Sequence, residues 1–297
     1  MSAHARGLSI GFVTVLLFGA TVILQASLVK EGVKPFAAVG IRYLVAGIVC
    51  LVIVVITRQS LLPHKGERIP AVLLGAFVYG LQAVLFYSAL NYGTVASVSL
   101  LFYTYPVIVL LASLALGLRR WSWLAGGSAG LSVVGAALVV ATGRAVAIEP
   151  IGIAMALGSA CCVAVFLLAN KRLIPTTPAI VAATWVSFGV ATSTLLIAFL
   201  LGEIESFSAR AWLVLVISGA FTGVGTAGMY VALALLGPAP ASVLLSLQTV
   251  VAITGSALLL GQPVLAGQIV GGAAILGAIA ISAIGTRRES AAIPRQQ

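Results

Sequence analysis

Apolar residues along this chain fall into ten long runs, at roughly 8–29, 36–56, 70–90, 95–117, 122–142, 151–170, 179–201, 211–235, 240–260 and 264–285. Each is close to the ~20 residues a helix needs to cross a hydrocarbon core. None shows the apolar–polar alternation of a barrel strand. Backbone groups in lipid must also be satisfied within their own segment, so the pattern predicts ten membrane-spanning helices. Proline marks most of the breaks, at Pro35, Pro63, Pro70, Pro150, Pro175, Pro178, Pro238, Pro240 and Pro263. Pro106 alone lies well inside a run. It removes one backbone bond there and should kink or loosen the fourth helix.

The pattern occurs twice. Tyr87-Ser88-Ala89-Leu90, Ala96-Ser97-Val98 and Leu114-Ala115-Leu116-Gly117 return about 140 residues later as Tyr230-Val231-Ala232-Leu233, Ala241-Ser242-Val243 and Leu258-Leu259-Leu260-Gly261. Pro35 pairs with Pro178, and Gly135 with Gly277. The boundary falls near residue 145, giving an N-terminal repeat over 1–145, a C-terminal repeat over 146–286 and a polar, basic tail over 287–297 expected to be disordered. Five spans is an odd number, so the second repeat enters the membrane from the opposite side. The expected fold is an all-α membrane protein of ten transmembrane helices in two inverted five-helix repeats. Such repeats are a transporter signature, with the binding site near the bilayer midplane between the halves.

Composition agrees. Of 297 residues, 61% are hydrophobic and 7% charged, too few charges to clothe two soluble domains. A net charge of +10 suggests nucleic acid at first sight, but the cations sit in short loops, where they act as topology signals. With the N-terminus inside, the inner segments carry eleven Lys or Arg and the outer segments four, with Arg42 inside the second span. Both termini are therefore expected in the cytoplasm of a bacterial inner membrane, and no nucleic-acid partner is expected. The first run continues to about Val29, too long for a signal-peptide core. Cys50, Cys161 and Cys162 lie in apolar runs and read as packing.

Catalysis is disfavoured by what the spans lack. The chain has no Asp, its histidines are His4 and His64 in the N-terminal tail and a loop, and all six glutamates lie in loops or at span ends. No carboxylate pair, triad or metal cluster can form at membrane depth, so neither enzyme activity, metal nor cofactor is expected. Arg42, seven residues after Pro35 and about 10 Å into its helix, is the one ionisable residue inside a span. Three readings are open for it: snorkelling to the outer interface, pinning helix ends, or attracting an anionic group near a cavity mouth. Its repeat partner is Trp185, so the charge is not duplicated.

Uncharged polar and aromatic residues cluster on particular helices. Tyr79, Gln82 and Phe86 share one face of the third span. Ser99, Phe102, Tyr103, Tyr105 and Pro106 crowd the fourth. Thr222, Thr226 and Tyr230 follow helical spacing on the eighth, Ser242, Ser246 and Gln248 lie on the ninth, and Thr14, Phe18, Thr21 and Gln25 on the first. Serine and threonine in such helices often bond their own backbone, and aromatic stripes often only pack. An amide at mid-span is different, because it needs a partner. The set suits a neutral or zwitterionic small molecule with an apolar side group. Gly126, Gly127, Gly130, Gly267, Gly271 and Gly272 have close-packing spacing and read as helix contacts within the fold or between protomers. Gly219, Gly223, Gly225 and Gly228 suit flexing or close approach to a ligand.

Pro35 with Arg42-Tyr43 and Ala46, Tyr87-Ser88-Ala89-Leu90 through Ala96-Ser97 to Tyr105-Pro106, and Leu260-Gly261 with Gln268 and Gly271 also carry a resemblance. Over nearly all of 8–285 the chain resembles the drug/metabolite transporter superfamily of the EamA type, and within it YddG-type exporters of aromatic amino acids. The resemblance implies a central cavity lined by helices one, three, four, six, eight and nine, with five and ten peripheral. It makes Tyr79, Gln82, Phe86, Ser99, Tyr103, Thr226, Tyr230, Ser246 and Gln248 the cavity candidates. Gln82 and Gln248 are expected to hydrogen-bond substrate, Tyr79 and Tyr103 to stack, and Pro106, Gly223 and Gly225 to permit gating. The family often has Glu after the Leu-Gly that ends helices four and nine; here Leu118 and Gln262 stand there. The expected function is export of amino acids, aromatic or other neutral, and similar small metabolites by alternating access, either as a facilitator or coupled through water or loop carboxylates, with lipid bilayer and a small-molecule substrate as partners and a monomer as the simplest state. A sugar or drug carrier of the same fold and a non-transporting membrane scaffold are the alternatives.

Overall fold

A computed structural model describes residues 3–117, 122–142, 148–204 and 207–292. Among the described residues ten helices run up and down: α1 Ala3–Lys30, α2 Pro35–Ile56, α3 Arg68–Ala89, α4 Val95–Ala115, α5 Trp123–Thr142, α6 Pro150–Leu173, α7 Ala179–Leu200, α8 Ala209–Leu236, α9 (Pro238–Ser246 continued by Gln248–Leu260) and α10 Ala266–Ala292. Eight are long and apolar enough to cross a membrane. The other two, α5 and α10, hold shorter apolar stretches, Gly126–Ala141 and Ala266–Ile281, and pack on each other. Among the described residues the only strand-like pairing is one bridge between Gly93 and Ile148. The fold is thus an all-α membrane protein of two inverted five-helix repeats. Its sequence-predicted limits hold to within a few residues, except that α10 continues as helix to Ala292, through much of the tail expected to be disordered. The repeat boundary near 145, Leu118, Arg119, Arg120, Arg144 and Glu205 lie outside the described residues.

The contacts are two-fold. α1 packs on α8 as α6 packs on α3; α2 packs on α8 as α7 packs on α3; α1 packs on α9 as α6 packs on α4. α2 meets α7, and α5 meets α10, across the axis. Glycines set the closest crossings. A Cβ at Gly75 would strike the Val186 carbonyl of α7, and in the mirrored place a Cβ at Gly219 would strike the Arg42 carbonyl of α2. Gly135 and Gly271 meet backbone to backbone at the α5–α10 crossing. Gly127 and Gly130 face open space, so the close crossing of the fifth span within the fold is made by Gly135.

Polar groups tie the halves together at both ends. At the end bearing the N-terminus, Glu67 accepts hydrogen bonds from the backbone and hydroxyls of Thr176 and Thr177, just ahead of α7. His64 Nδ1 lies 2.9 Å from Thr176 Oγ1, and Trp185 Nε1 donates to the Leu61 carbonyl at 2.9 Å. At the other end Glu203 accepts from the N–H of Phe36 at 3.0 Å, satisfying an otherwise orphaned donor at the start of α2. Arg210 pairs with Glu31 at 3.3 Å, and Lys30 donates to the Leu260 carbonyl at 3.0 Å. Gln262 accepts from Val95 N–H at the start of α4 at 2.9 Å.

Candidate substrate-binding site

Irregular backbone in α3, α4 and α9 positions the candidate side chains. In α3, Leu74–Tyr79 forms a π turn in which the Gly80 N–H reaches back to the Gly75 carbonyl. Ser193 of α7 donates to the Ala76 carbonyl inside that turn at 2.9 Å. Such turns re-aim the residues that follow and recur at functional sites. Tyr79 ends the turn with its ring edge-on to Tyr43 of α2, centroids 5.8 Å apart, and 4.6 Å from Phe166 of α6. Tyr230 of α8 and Arg42 lie within electrostatic reach of the same ring.

Gln82 follows Tyr79 by three residues and is buried. Its Nε2 donates to Ser159 Oγ of α6 at 3.0 Å, and Ser159 donates back to the Gln82 carbonyl at 2.9 Å. The partner that a mid-span amide requires is therefore on α6 of the other repeat. Phe86 continues the face and meets Phe102 of α4 edge-on at 5.1 Å. Phe102 in turn contacts Tyr103 at 5.6 Å and Tyr105 at 5.5 Å.

α4 breaks at Tyr103–Thr104, where Pro106 is the second residue of the resumed helix Tyr105–Ala115. Thr104 turns its hydroxyl back to the Leu101 carbonyl at 2.7 Å. The break expected from Pro106 is thus present. Its repeat counterpart breaks at Leu247 with no proline. Beside these two breaks lie buried polar atoms without a protein partner: Ser99 Oγ, Tyr103 Oη and Thr249 Oγ1. The Tyr103 hydroxyl lies beside that of Thr249, with no hydrogen bond of good geometry closing between them. Gln25 Oε1 is unpartnered too, on α1, which packs against α4 and α9. Leaving a buried polar atom unpaired costs about 1–3 kcal/mol, so a cluster of them is a place for a ligand to supply partners.

The remaining candidates are placed differently. Thr226 donates to the Thr222 carbonyl and Ser246 to the Val243 carbonyl, each at 2.7 Å, the backbone return common to such residues. Gln248 is half-buried, and its carbonyl faces Gly19 of α1. Gly223 sits against Val49 and Ala46 of α2, and Gly225 against the Phe18 ring of α1; both lie at helix crossings. The structure thus gathers Tyr79 and Tyr230 with Tyr43 and Phe166 in one group. It gathers Phe86 and Tyr103, through Phe102, with Thr249 in another, with Ser99 one turn before Tyr103 on α4, and Gln82 stands between them on α3. Sequence reasoning missed Thr249, Ser159 and Phe166. Thr249 adjoins Gln248 and could have been found from it, whereas Ser159 and Phe166 stand out only once α6 is packed.

Ten helices in two inverted repeats, with facing broken helices around unpaired polar atoms, define a polytopic membrane protein of transporter design. Residues 5–141 and 150–284 each match the EamA-like transporter family. The chain belongs to the EamA-like transporter family, whose members carry small molecules across membranes. A crystal structure of 19% identity superposes with a TM-score of 0.63, covering 96% of this chain and 99% of the other, and so shares the fold. No curated protein sequence matches the chain.

Proposed function

We propose that this transporter exports amino acids, aromatic or other neutral ones, and similar small metabolites across a bacterial inner membrane. Alternating access would rock the 1–145 repeat against the 146–286 repeat, with both termini cytoplasmic and the monomer as the working unit. The observation that carries the reading is the cluster of Ser99, Tyr103 and Thr249 hydroxyls, buried and unpartnered beside the breaks in α4 and α9. Uncharged hydrogen-bonding groups beside the Phe86, Phe102 and Tyr105 rings suit a small molecule with one polar and one apolar end. With no carboxylate at membrane depth among the described residues, transport in this reading runs down the substrate gradient. The resemblance to YddG-type exporters supports the same substrate class.

Flux from proteoliposomes containing only this protein tests the proposal. Labelled phenylalanine, leucine and lysine are preloaded separately, and efflux is followed with and without a proton gradient. Saturable efflux of phenylalanine or leucine, unchanged by the gradient, is expected. The same hydroxyl and aromatic groups also suit sugars, so labelled glucose is the competing arm. Glucose flux in the absence of amino-acid flux would overturn the proposed substrate.

A further inference from the structure

Arg42 is 7% exposed, so it does not snorkel to a lipid or water interface. Nor does it pin helix ends, because its guanidinium makes no hydrogen bond or ion pair among the described residues. Glu31 is engaged by Arg210, and Glu203 by the N-terminus of α2. The guanidinium carbon lies 4.5 Å from the Tyr43 ring centroid, and Tyr79 and Tyr87 of α3 are within electrostatic reach. Tyr87 Oη donates to the Val33 carbonyl at 2.9 Å. A lone cation inside a membrane helix is costly, and a facing ring offsets part of that cost without neutralising the charge.

We propose that Arg42 binds the carboxylate of the transported molecule beside the Tyr43 and Tyr79 rings, a station separate from the Ser99, Tyr103 and Thr249 hydroxyls. This rests on the amino-acid reading above and narrows it to substrates bearing a free carboxylate. The planar fork of a guanidinium suits a carboxylate, and an anion arriving there would be a direct charge partner of a kind that no described residue supplies. The same group would discriminate against amines and amides of similar size, which leave it unpaired.

Binding to the purified protein in detergent, read by calorimetry, separates this idea from transport. The probes are L-phenylalanine, 3-phenylpropionate and L-phenylalaninamide. Wild type is expected to bind both carboxylates about 30-fold or more tighter than the amide, the discrimination typical of a buried charge pair. Arg42→Gln should abolish that preference by weakening the carboxylates, and Arg42→Lys should retain part of it. Equal binding of the amide and L-phenylalanine by wild type overturns the inference, whether or not either variant folds. So does an unaltered carboxylate preference in folded Arg42→Gln. Carboxylate-selective binding without flux of any amino acid would leave Arg42 assigned and refute the export reading.

Discussion

At the scale of single residues, Glu67 shows how a loop carboxylate can hold two repeats together. Hydroxyl hydrogen bonds from Thr176 and Thr177, with their backbone N–H groups adding to them, pull its carboxyl down to about 2. A carboxyl lowered on folding contributes stability that is complete above its ordinary value of 4.5 and is lost as the pH falls toward 2. Glu67→Gln should therefore lower the thermal midpoint in detergent at pH 7. The wild-type and variant curves should converge between pH 4.5 and 2, and parallel curves would show that the carboxylate charge is not what the clamp uses. Residue-level legibility was uneven. The backbone return of Thr226 and Ser246 follows from their type and helical setting, and the need of Gln82 for a partner was readable. That the partner is Ser159 was not, because it depends on how α6 packs. Arg42 was left with three readings; burial removed one, and the lack of a hydrogen-bond partner among the described residues removed another.

At the scale of elements, the helices were legible because their apolar runs are long and proline sits at their edges. Their interruptions were only half legible. The break in α4 is marked by Pro106, whereas α9 breaks at Leu247 and α3 takes its π turn at Leu74–Tyr79 without any proline. Neither carries a local signal; the π turn lies where Gly75 meets the Val186 carbonyl of α7. Pro106→Ala restores an N–H able to reach the Phe102 carbonyl and so favours a continuous α4. We expect the thermal midpoint to rise by a few degrees while efflux of labelled phenylalanine falls several-fold. Equal flux would mean that the break is not used in the transport cycle. Glycines offer a sharper contrast. Gly75→Ala and Gly219→Ala each push a methyl into a facing carbonyl and should lose on the order of 3 kcal/mol. Gly127→Ala, facing open space, should gain up to about 1 kcal/mol from helix propensity. Melting the three variants in one detergent checks the order.

At the scale of the whole molecule, the inverted repeat was readable from the odd number of spans per half, and the mirrored contacts follow from it. The clamps at the two ends are not copies in sequence. Glu67 holds the approach to α7 at one end and Glu203 the start of α2 at the other, yet each joins one repeat to the other. The ends differ in cations, since the loops on the N-terminal side hold eleven Lys and Arg against four opposite. The translocation machinery retains such loops in the cytoplasm, so Lys65 and its neighbours should face inward and Lys34 outward. Cysteine labelling tests this after Cys50, Cys161 and Cys162 are replaced by alanine. In intact cells a membrane-impermeant maleimide should label Lys34→Cys and spare Ser60→Cys, and cell lysis should expose both. Labelling of Ser60→Cys alone in intact cells would invert the assignment. Glu203 and the Lys30 contact with α9 would then guard the cytoplasmic mouth, and the same pair of repeats would have to be read as working in the opposite direction.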